Sequence, residues 1–214
     1  TLLDYTCVLY SMLLSLAYYF AGPEDIMFFF RMIGTVVMLS SVFPVYLLAK
    51  RMLGPGGRDG KTIWIVTALT LLLPSITKAA YCMQEVLVYP IFLWTAYFVY
   101  REIQEGRVLR ISGDMALIAA LAAVGYFAKT MFLFLPLLYC ACMIWEACRQ
   151  RCIAVWKKVA AFSGIWAILY AIGKGGILWI NGGIAGSNHY SAQFSRLFPI
   201  DWRTIAAILS CIVF

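Results

Sequence analysis

The sequence has little charge of either sign. Only 13% of its 214 residues are charged, whereas 64% are hydrophobic, and 10 acidic residues stand beside 17 Lys and Arg. A soluble domain has about 25% charged residues, and a chain with this composition would expose large apolar patches to water. A bilayer with an apolar core about 30 Å thick accommodates such surface in helices of about 20 residues. The composition therefore excludes an ordinary soluble domain and predicts an integral membrane protein.

Residues for metal, disulfide or nucleophilic chemistry are also scarce. His189 is the single histidine, and the seven cysteines are scattered mostly in or beside apolar segments without a CxxC pair. This pattern excludes a disulfide framework, and no Ser/His/Asp set can be assembled around His189. The segment Leu53–Gly60 is rich in glycine but lacks the spacing of a phosphate-binding loop. We therefore expect the cysteines to pack as small hydrophobic residues, and we name no metal-binding residues.

The sequence does contain a series of long apolar segments. They predict an all-α fold, a polytopic membrane helix bundle in which residues 1–214 form one transmembrane domain. The segment 7–21 is short enough to be either a span or a juxtamembrane helix. Because the chain starts at Thr1 and stops within an apolar run, we expect it to be a fragment. The predicted spans are 27–49, 62–77, 86–100, 114–128, 131–148, 159–180 and a truncated 204–214.

Basic residues concentrate in alternate connections between these segments. Short cytoplasmic loops are enriched in Lys and Arg, so the loops around Arg58, Arg107 and Arg151 are predicted to be cytoplasmic and 181–203 to lie outside. The net charge of +7 then reflects topology and attraction to anionic lipid, and not nucleic acid. Eleven basic residues belong to these three loops: Lys50, Arg51, Arg58, Lys61, Arg101, Arg107, Arg110, Arg149, Arg151, Lys157 and Lys158.

Four charged residues lie within or beside the apolar segments: Arg31, Glu85, Lys129 and Lys174. Such a group costs about 2.5–3.5 kcal/mol at the membrane centre, so each one suggests a substrate path, a site or a partner. Glu85 and Lys129 are far apart in sequence, but one descending and one ascending helix between them would return the chain to the same face. We predict that they line a shared cavity opposite the basic loops. For Arg31 and Lys174 the alternative is that the side chain extends to the lipid headgroups.

Lys129 is harder than Arg31 or Lys174 to explain by contact with the headgroups alone, whereas His189 and Asp4 are weaker candidates. A cation in the short turn at Lys129 can hold a phosphate as a point charge, although it too could extend to the headgroups. His189 lies in the large outer loop, where a lone histidine is commonly solvated. Asp4 precedes the first apolar segment and could be an outer carboxylate or a helix-start residue.

Several motifs, taken in order, resemble those of one enzyme superfamily. The run 9–22 is similar to a "P-L-Y-x-x-L-L-x-L-x-x-x-x-F-G" segment, and 45–54 is similar to "V-Y-x-L-A-R-R-L-x-G". Between and after them come Arg31, Pro74, the acid of Met83-Gln84-Glu85, and Phe127-Ala128-Lys129-Thr130. Over about residues 5–140 the chain thus resembles the GT-C superfamily of glycosyltransferases that use polyprenyl-phosphate sugars, such as the dolichyl- or undecaprenyl-phosphate-mannose and aminoarabinose transferases.

The resemblance implies a GT-C-like fold and an inverting transfer of a sugar from a polyprenyl-phosphate donor to a lipid or protein acceptor outside the cytoplasm. By motif position Lys129 contacts the donor phosphate and Glu85 is a second acidic position. The catalytic base is expected upstream of Thr1, with Asp4 as a weak candidate, so the fragment alone is expected to be inactive. Further substrate-binding candidates in the predicted outer half are Arg31, Lys78 and His189.

The wider expectations follow from the same interpretation. We expect a multi-pass protein of a bacterial plasma membrane, in contact with membrane lipids. The sequence identifies no cofactor, and a divalent cation is one option. Two other classes remain as alternatives. Charges in the membrane can line the path of a transporter or flippase for a lipid-linked or polar substrate. They can also serve only assembly, in a structural membrane subunit.

Overall fold

The computed structural model describes residues 8–20, 22–53, 60–80, 85–108, 110–150 and 154–180. Within these ranges the chain is helical and contains no strand, which confirms the all-α prediction. A 3₁₀ turn, Thr130–Leu133, lies between the seventh and eighth α-helices. The α-helices are α1 Val8–Ser15, α2 Ala17–Phe20, α3 Ile26–Leu39, α4 Val42–Leu53, α5 Gly60–Ala80, α6 Glu85–Gln104, α7 Gly113–Ala128, α8 Phe134–Gln150 and α9 Ala154–Ile180.

The apolar segment predicted as one span at 27–49 forms two helices, α3 and α4. They are separated by a turn at Ser40 and Ser41, where Ser40 Oγ donates a 2.6 Å hydrogen bond to the Val37 carbonyl. Pro44 lies in the first turn of α4. It has no N–H, and its ring would clash with the carbonyl of Ser40 in a continuous helix, so the break falls just before it. The two helices together still form an apolar stretch of 28 residues.

The four helices α6 to α9 alternate in direction. The last turn of α6 lies beside the start of α7, where Ser112 contacts Glu102. At the other end of this helix pair, Lys129, which follows α7, contacts Glu85 at the start of α6. Helix α8 then returns toward Glu102, which Tyr139 contacts, and α9 starts beside Glu102 with Lys158. The bundle therefore has a Lys129 end and a Glu102 end, named here after these two residues.

The centre of this bundle is apolar and tightly packed. Buried side chains of α7, α8 and α9, including Met115, Ile118, Met143 and Phe162, form one cluster. Close packing of these side chains gives many dispersion contacts, which hold helices together in lipid as well as in water. Helix α7, rich in alanine, approaches its neighbours closely and packs against both α6 and α9.

Much of the outer surface is apolar as well. Among the described residues, two stretches are long and apolar enough to cross a membrane, Ile26–Leu53 with 28 residues and Val155–Ile180 with 26. Large side chains such as Phe28, Ile172 and Trp179 point away from the bundle and are exposed. Monomeric soluble proteins rarely expose so much contiguous apolar surface, so this surface agrees with membrane association.

Helix α1 starts where several helices converge at the Lys129 end. Val8 packs with Ile177 of α9, while Tyr10 packs with Met38 of α3 and Val86 of α6. The segment predicted as a span or juxtamembrane helix at 7–21 thus forms α1 and α2, and α2 packs against α3. The predicted segment 204–214 and the loop 181–203 lie outside the described residues.

Candidate functional site

The break between α7 and the 3₁₀ turn places Lys129. Its backbone is extended (φ −160°, ψ 127°), and its N–H donates a 2.8 Å hydrogen bond to the Gly125 carbonyl, which closes the last turn of α7. The Phe132 ring folds back against Gly125, where a Cβ atom would overlap it. The absence of a side chain at Gly125 therefore allows the chain to reverse sharply at Lys129.

Lys129 and Glu85 form an ion pair at this end of the bundle. Lys129 Nζ donates to Glu85 Oε1 at 2.7 Å, and the two side chains are 32% and 36% exposed, respectively. A 2.7 Å contact between charged groups is a strong hydrogen bond. Because an ammonium group carries three N–H donors, the bond to Glu85 leaves two that could reach a ligand. Glu85 therefore orients Lys129 without covering it.

Lys129 also lies at one end of an apolar groove between α6 and α8. A cavity of about 680 Å³ is lined by Lys129 and by apolar side chains of both helices, including Phe92 and Leu138. A second cavity of about 1030 Å³ shares Phe92 and Leu138 and extends to Glu102. The two cavities therefore form one groove, which follows α6 for roughly 22 Å at 1.5 Å per residue. Its lining is apolar along most of its length.

A buried cluster of polar side chains lies beside the other end of the groove. Glu102 is 2% exposed and Lys158 is 0% exposed, and Lys158 Nζ donates to both carboxylate oxygens at 3.0 Å. Tyr139 and Ser112 donate their hydroxyls to the same carboxylate. Lys158 also donates to the carbonyls of Arg107 at 3.2 Å and Val108 at 3.1 Å. One carboxylate therefore connects α6, α7, α8 and α9.

A more exposed ionic network lies beside this cluster. Glu105 Oε1 accepts from Arg51 and Arg101, each at 3.2 Å, and Glu105 Oε2 lies 3.0 Å from Arg107. Desolvation acts to raise the pKa of Glu105, but the hydrogen bonds from Arg51 and Arg101 and the charge of Arg107 outweigh it and lower that pKa. Asp114, in the first turn of α7, lies 3.3 Å from Arg101. Residues from the three basic loops therefore meet at the Glu102 end.

The structure brings together two of the candidates named from the sequence, Lys129 and Glu85. Of the two only Lys129 lines the groove, so the predicted cavity lined by both is not observed in the part of the chain that the structure describes. Arg31 is exposed on α3, where its carbonyl accepts the Thr35 hydroxyl at 2.8 Å, and it does not line the groove. Lys174 is exposed on α9 with its ammonium 5.9 Å from the centre of the Tyr170 ring. An ammonium at this distance is attracted to the ring face.

The other candidates fall outside what can be described. Lys78 belongs to α5, but its side chain is not among the described ones. Asp4 and His189 lie outside the described residues, as do Arg58 and Arg151 of the basic loops. Within the described ranges, no three His, Cys, Asp or Glu side chains come together as metal ligands.

The sequence interpretation missed the buried cluster, because it counted Lys158 only as a loop charge. A local signal was present. Val155, Lys158 and Phe162 are three and four residues apart and share one face of α9, and both apolar members are buried. A lysine in line with a buried face needs a buried acidic partner, which Glu102 supplies.

No protein-family model, curated protein or solved structure matches this chain. The fold and the site define only a general class of protein. In the part of the chain that the structure describes, it is a helical protein with two stretches long and apolar enough to cross a membrane, and it carries a partly exposed ion pair at the end of an apolar groove.

Proposed function

We propose that this chain belongs to a multi-pass membrane glycosyltransferase of the GT-C type, which takes its sugar from a polyprenyl-phosphate donor. The observation that carries the proposal is the position of Lys129, a partly exposed cation at the end of a long apolar groove. A polyprenyl phosphate needs both features, a positive charge for its phosphate and an apolar surface for its chain. The order of sequence motifs supports the same class.

Helix α9 supports the membrane part of this proposal. Trp156 and Trp179 are exposed near its two ends and are 23 positions apart, roughly 35 Å at 1.5 Å per residue. Tryptophan is enriched at both membrane–water interfaces, and the apolar core between them is about 30 Å thick. Lys157 and Lys158 at the first end agree with a cytoplasmic Glu102 end. The Lys129 end then lies on the outer side, where the acceptor is expected.

In the proposed reaction an acceptor hydroxyl bonds to the anomeric carbon of the sugar and the bond from that carbon to the phosphate oxygen breaks. Polyprenyl phosphate leaves with the bonding electron pair, and the hydroxyl proton passes to a carboxylate base that the resemblance assigns to an outer loop. Lys129 would stabilise the charge that develops on the leaving phosphate. Glu85 would hold the ammonium in position before the donor arrives.

The ion pair is neutral, so the donor phosphate must compete with Glu85 for the Lys129 ammonium. This competition gives the two residues different kinetic signatures. Lys129→Met removes the cation and should reduce transfer by about 2–4 kcal/mol of transition-state stabilisation, whereas Lys129→Arg should retain more activity. Glu85→Gln should release the ammonium and lower KM for the donor, with a lower kcat because Lys129 is less well placed.

The test is transfer from a polyprenyl-phosphate sugar by the full-length protein at matched membrane expression. Lys157→Met is the control, because Lys157 is an exposed cation at the opposite, Glu102 end of the bundle and does not line the groove. A Lys129→Met variant as active as Lys157→Met would refute the phosphate role. If the parent moved the intact donor across vesicles without breaking it, the transporter interpretation would replace the enzyme.

A further inference from the structure

The groove between α6 and α8 stays open because these two helices scarcely pack against each other. Helix α8 packs against α9, α7 and the 3₁₀ turn, while α6 packs mainly against α7, α3 and α4. The two cavities occupy the space between α6 and α8. The width of the groove therefore depends on what fixes α8 relative to α6.

A hydrogen bond spans that space at the Glu102 end. Tyr139 of α8 donates its hydroxyl to Glu102 Oε2 of α6 at 2.5 Å, and both residues line the larger cavity. The Glu102 carboxylate is fixed in position, because Lys158 donates to both of its oxygens and Ser112 donates to Oε1. The acceptor side of this link is thus fixed by α7 and α9, independently of Tyr139.

The tyrosine side of the link is a single hydroxyl. The Tyr139 ring packs against Phe162 of α9, with ring centroids 4.6 Å apart. Removing the hydroxyl would keep this ring contact and the fold of α8 against α9. It would remove the hydrogen bond to Glu102 of α6.

We infer that the Tyr139–Glu102 hydrogen bond, supported by Lys158, sets the width of the α6–α8 groove. Because the donor of the proposed function has a single apolar chain, a groove held at one width should favour a phosphate lipid with one chain over a lipid with two. Tyr139 is therefore a positioning residue for the chain of the substrate, at a distance from the Lys129 ammonium. The part of the inference that concerns chain selection rests on the proposed function, whereas the part that concerns groove width does not.

The first measurement is a distance across the groove. In the full-length protein, otherwise free of cysteine and held in lipid nanodiscs, spin labels are placed on Cys142 of α8 and on an Ile103→Cys substitution in α6, both of which line the larger cavity. Tyr139→Phe should shift the distance distribution to longer values and broaden it. Tyr126→Phe is the matched control, because Tyr126 faces Tyr170 of α9 and does not line either groove cavity. An unchanged distribution in Tyr139→Phe would overturn the inference.

The second measurement compares the binding of farnesyl phosphate with that of dioleoyl phosphatidic acid, which share a phosphate monoester and differ in the number of chains. The parent should prefer the single chain, and Tyr139→Phe should reduce that preference several-fold while Tyr126→Phe leaves it unchanged. A preference that stays at the parent value despite a wider groove would also overturn the inference. If neither lipid binds to the parent, the proposed function fails, and the spin-label distances alone decide the role of Tyr139.

Discussion

Replacing Lys158 by methionine tests whether the buried cluster stabilises the bundle. The substitution keeps most of the apolar stem and removes the ammonium, which is 0% exposed and lies 3.0 Å from both oxygens of Glu102. Glu102, 2% exposed, would then be left buried with only the hydroxyls of Tyr139 and Ser112 as donors. We therefore expect a large loss of folding free energy from this single change.

The magnitude follows from the cost of an uncompensated buried charge. Removing one partner of a buried ion pair costs about 3–5 kcal/mol, whereas replacing both partners by neutral groups of similar volume is often nearly neutral. The carbonyls of Arg107 and Val108 also lose the Lys158 donor, but the Arg107 carbonyl still accepts from the Arg110 N–H at 3.0 Å. Lys158→Met should cost about 3–5 kcal/mol, and Glu102→Gln combined with Lys158→Met should recover most of it.

The assay is the free energy of unfolding in mixed micelles, obtained by titration with sodium dodecyl sulfate. Lys157→Met is the matched control, because Lys157 is the neighbouring lysine and is exposed, so its loss should change the free energy by no more than about 0.5 kcal/mol. If Lys158→Met were as stable as Lys157→Met, the cluster would not carry the stability assigned to it. A double variant no better than the single one would refute the charge argument.

Two further predictions concern packing and pH. Gly173→Ala should destabilise the α7–α9 contact by about 1–3 kcal/mol, because the new Cβ would overlap the Phe127 ring. Gly164→Ala is the control, because open space surrounds Gly164, and the thermal unfolding of the two variants should differ accordingly. Since the folded pKa of Glu105 is lowered, its stabilising contribution is present above its ordinary pKa of 4.5 and is lost as the pH falls through the lowered value. Glu105→Gln should weaken that acid dependence in unfolding measured between about pH 6 and about pH 3.

The helices were largely predictable because their signals are local. The segment predicted at 114–128 is observed as Gly113–Ala128, and its first turn is capped by the Ser112 hydroxyl, which accepts from the Met115 N–H at 3.2 Å. The short turn at Lys129 was also visible as a charge between two apolar runs. The sequence interpretation did not predict the division of 27–49 at Ser40, although Pro44 indicates it. Hydropathy alone does not show that proline lacks the backbone N–H that a continuous helix needs.

The sequence by itself determined the composition of each helix, the apolar character of its surface, and the connections in which basic residues concentrate. Only the tertiary structure decided which charges meet. Lys158 is paired with Glu102, 56 positions away, and Lys129 with Glu85, 44 positions away. Hydropathy and charge are properties of single segments, whereas an ion pair and a groove depend on which two helices are neighbours and how they are rotated. That choice is made by packing among side chains far apart in sequence, and a single sequence does not display it.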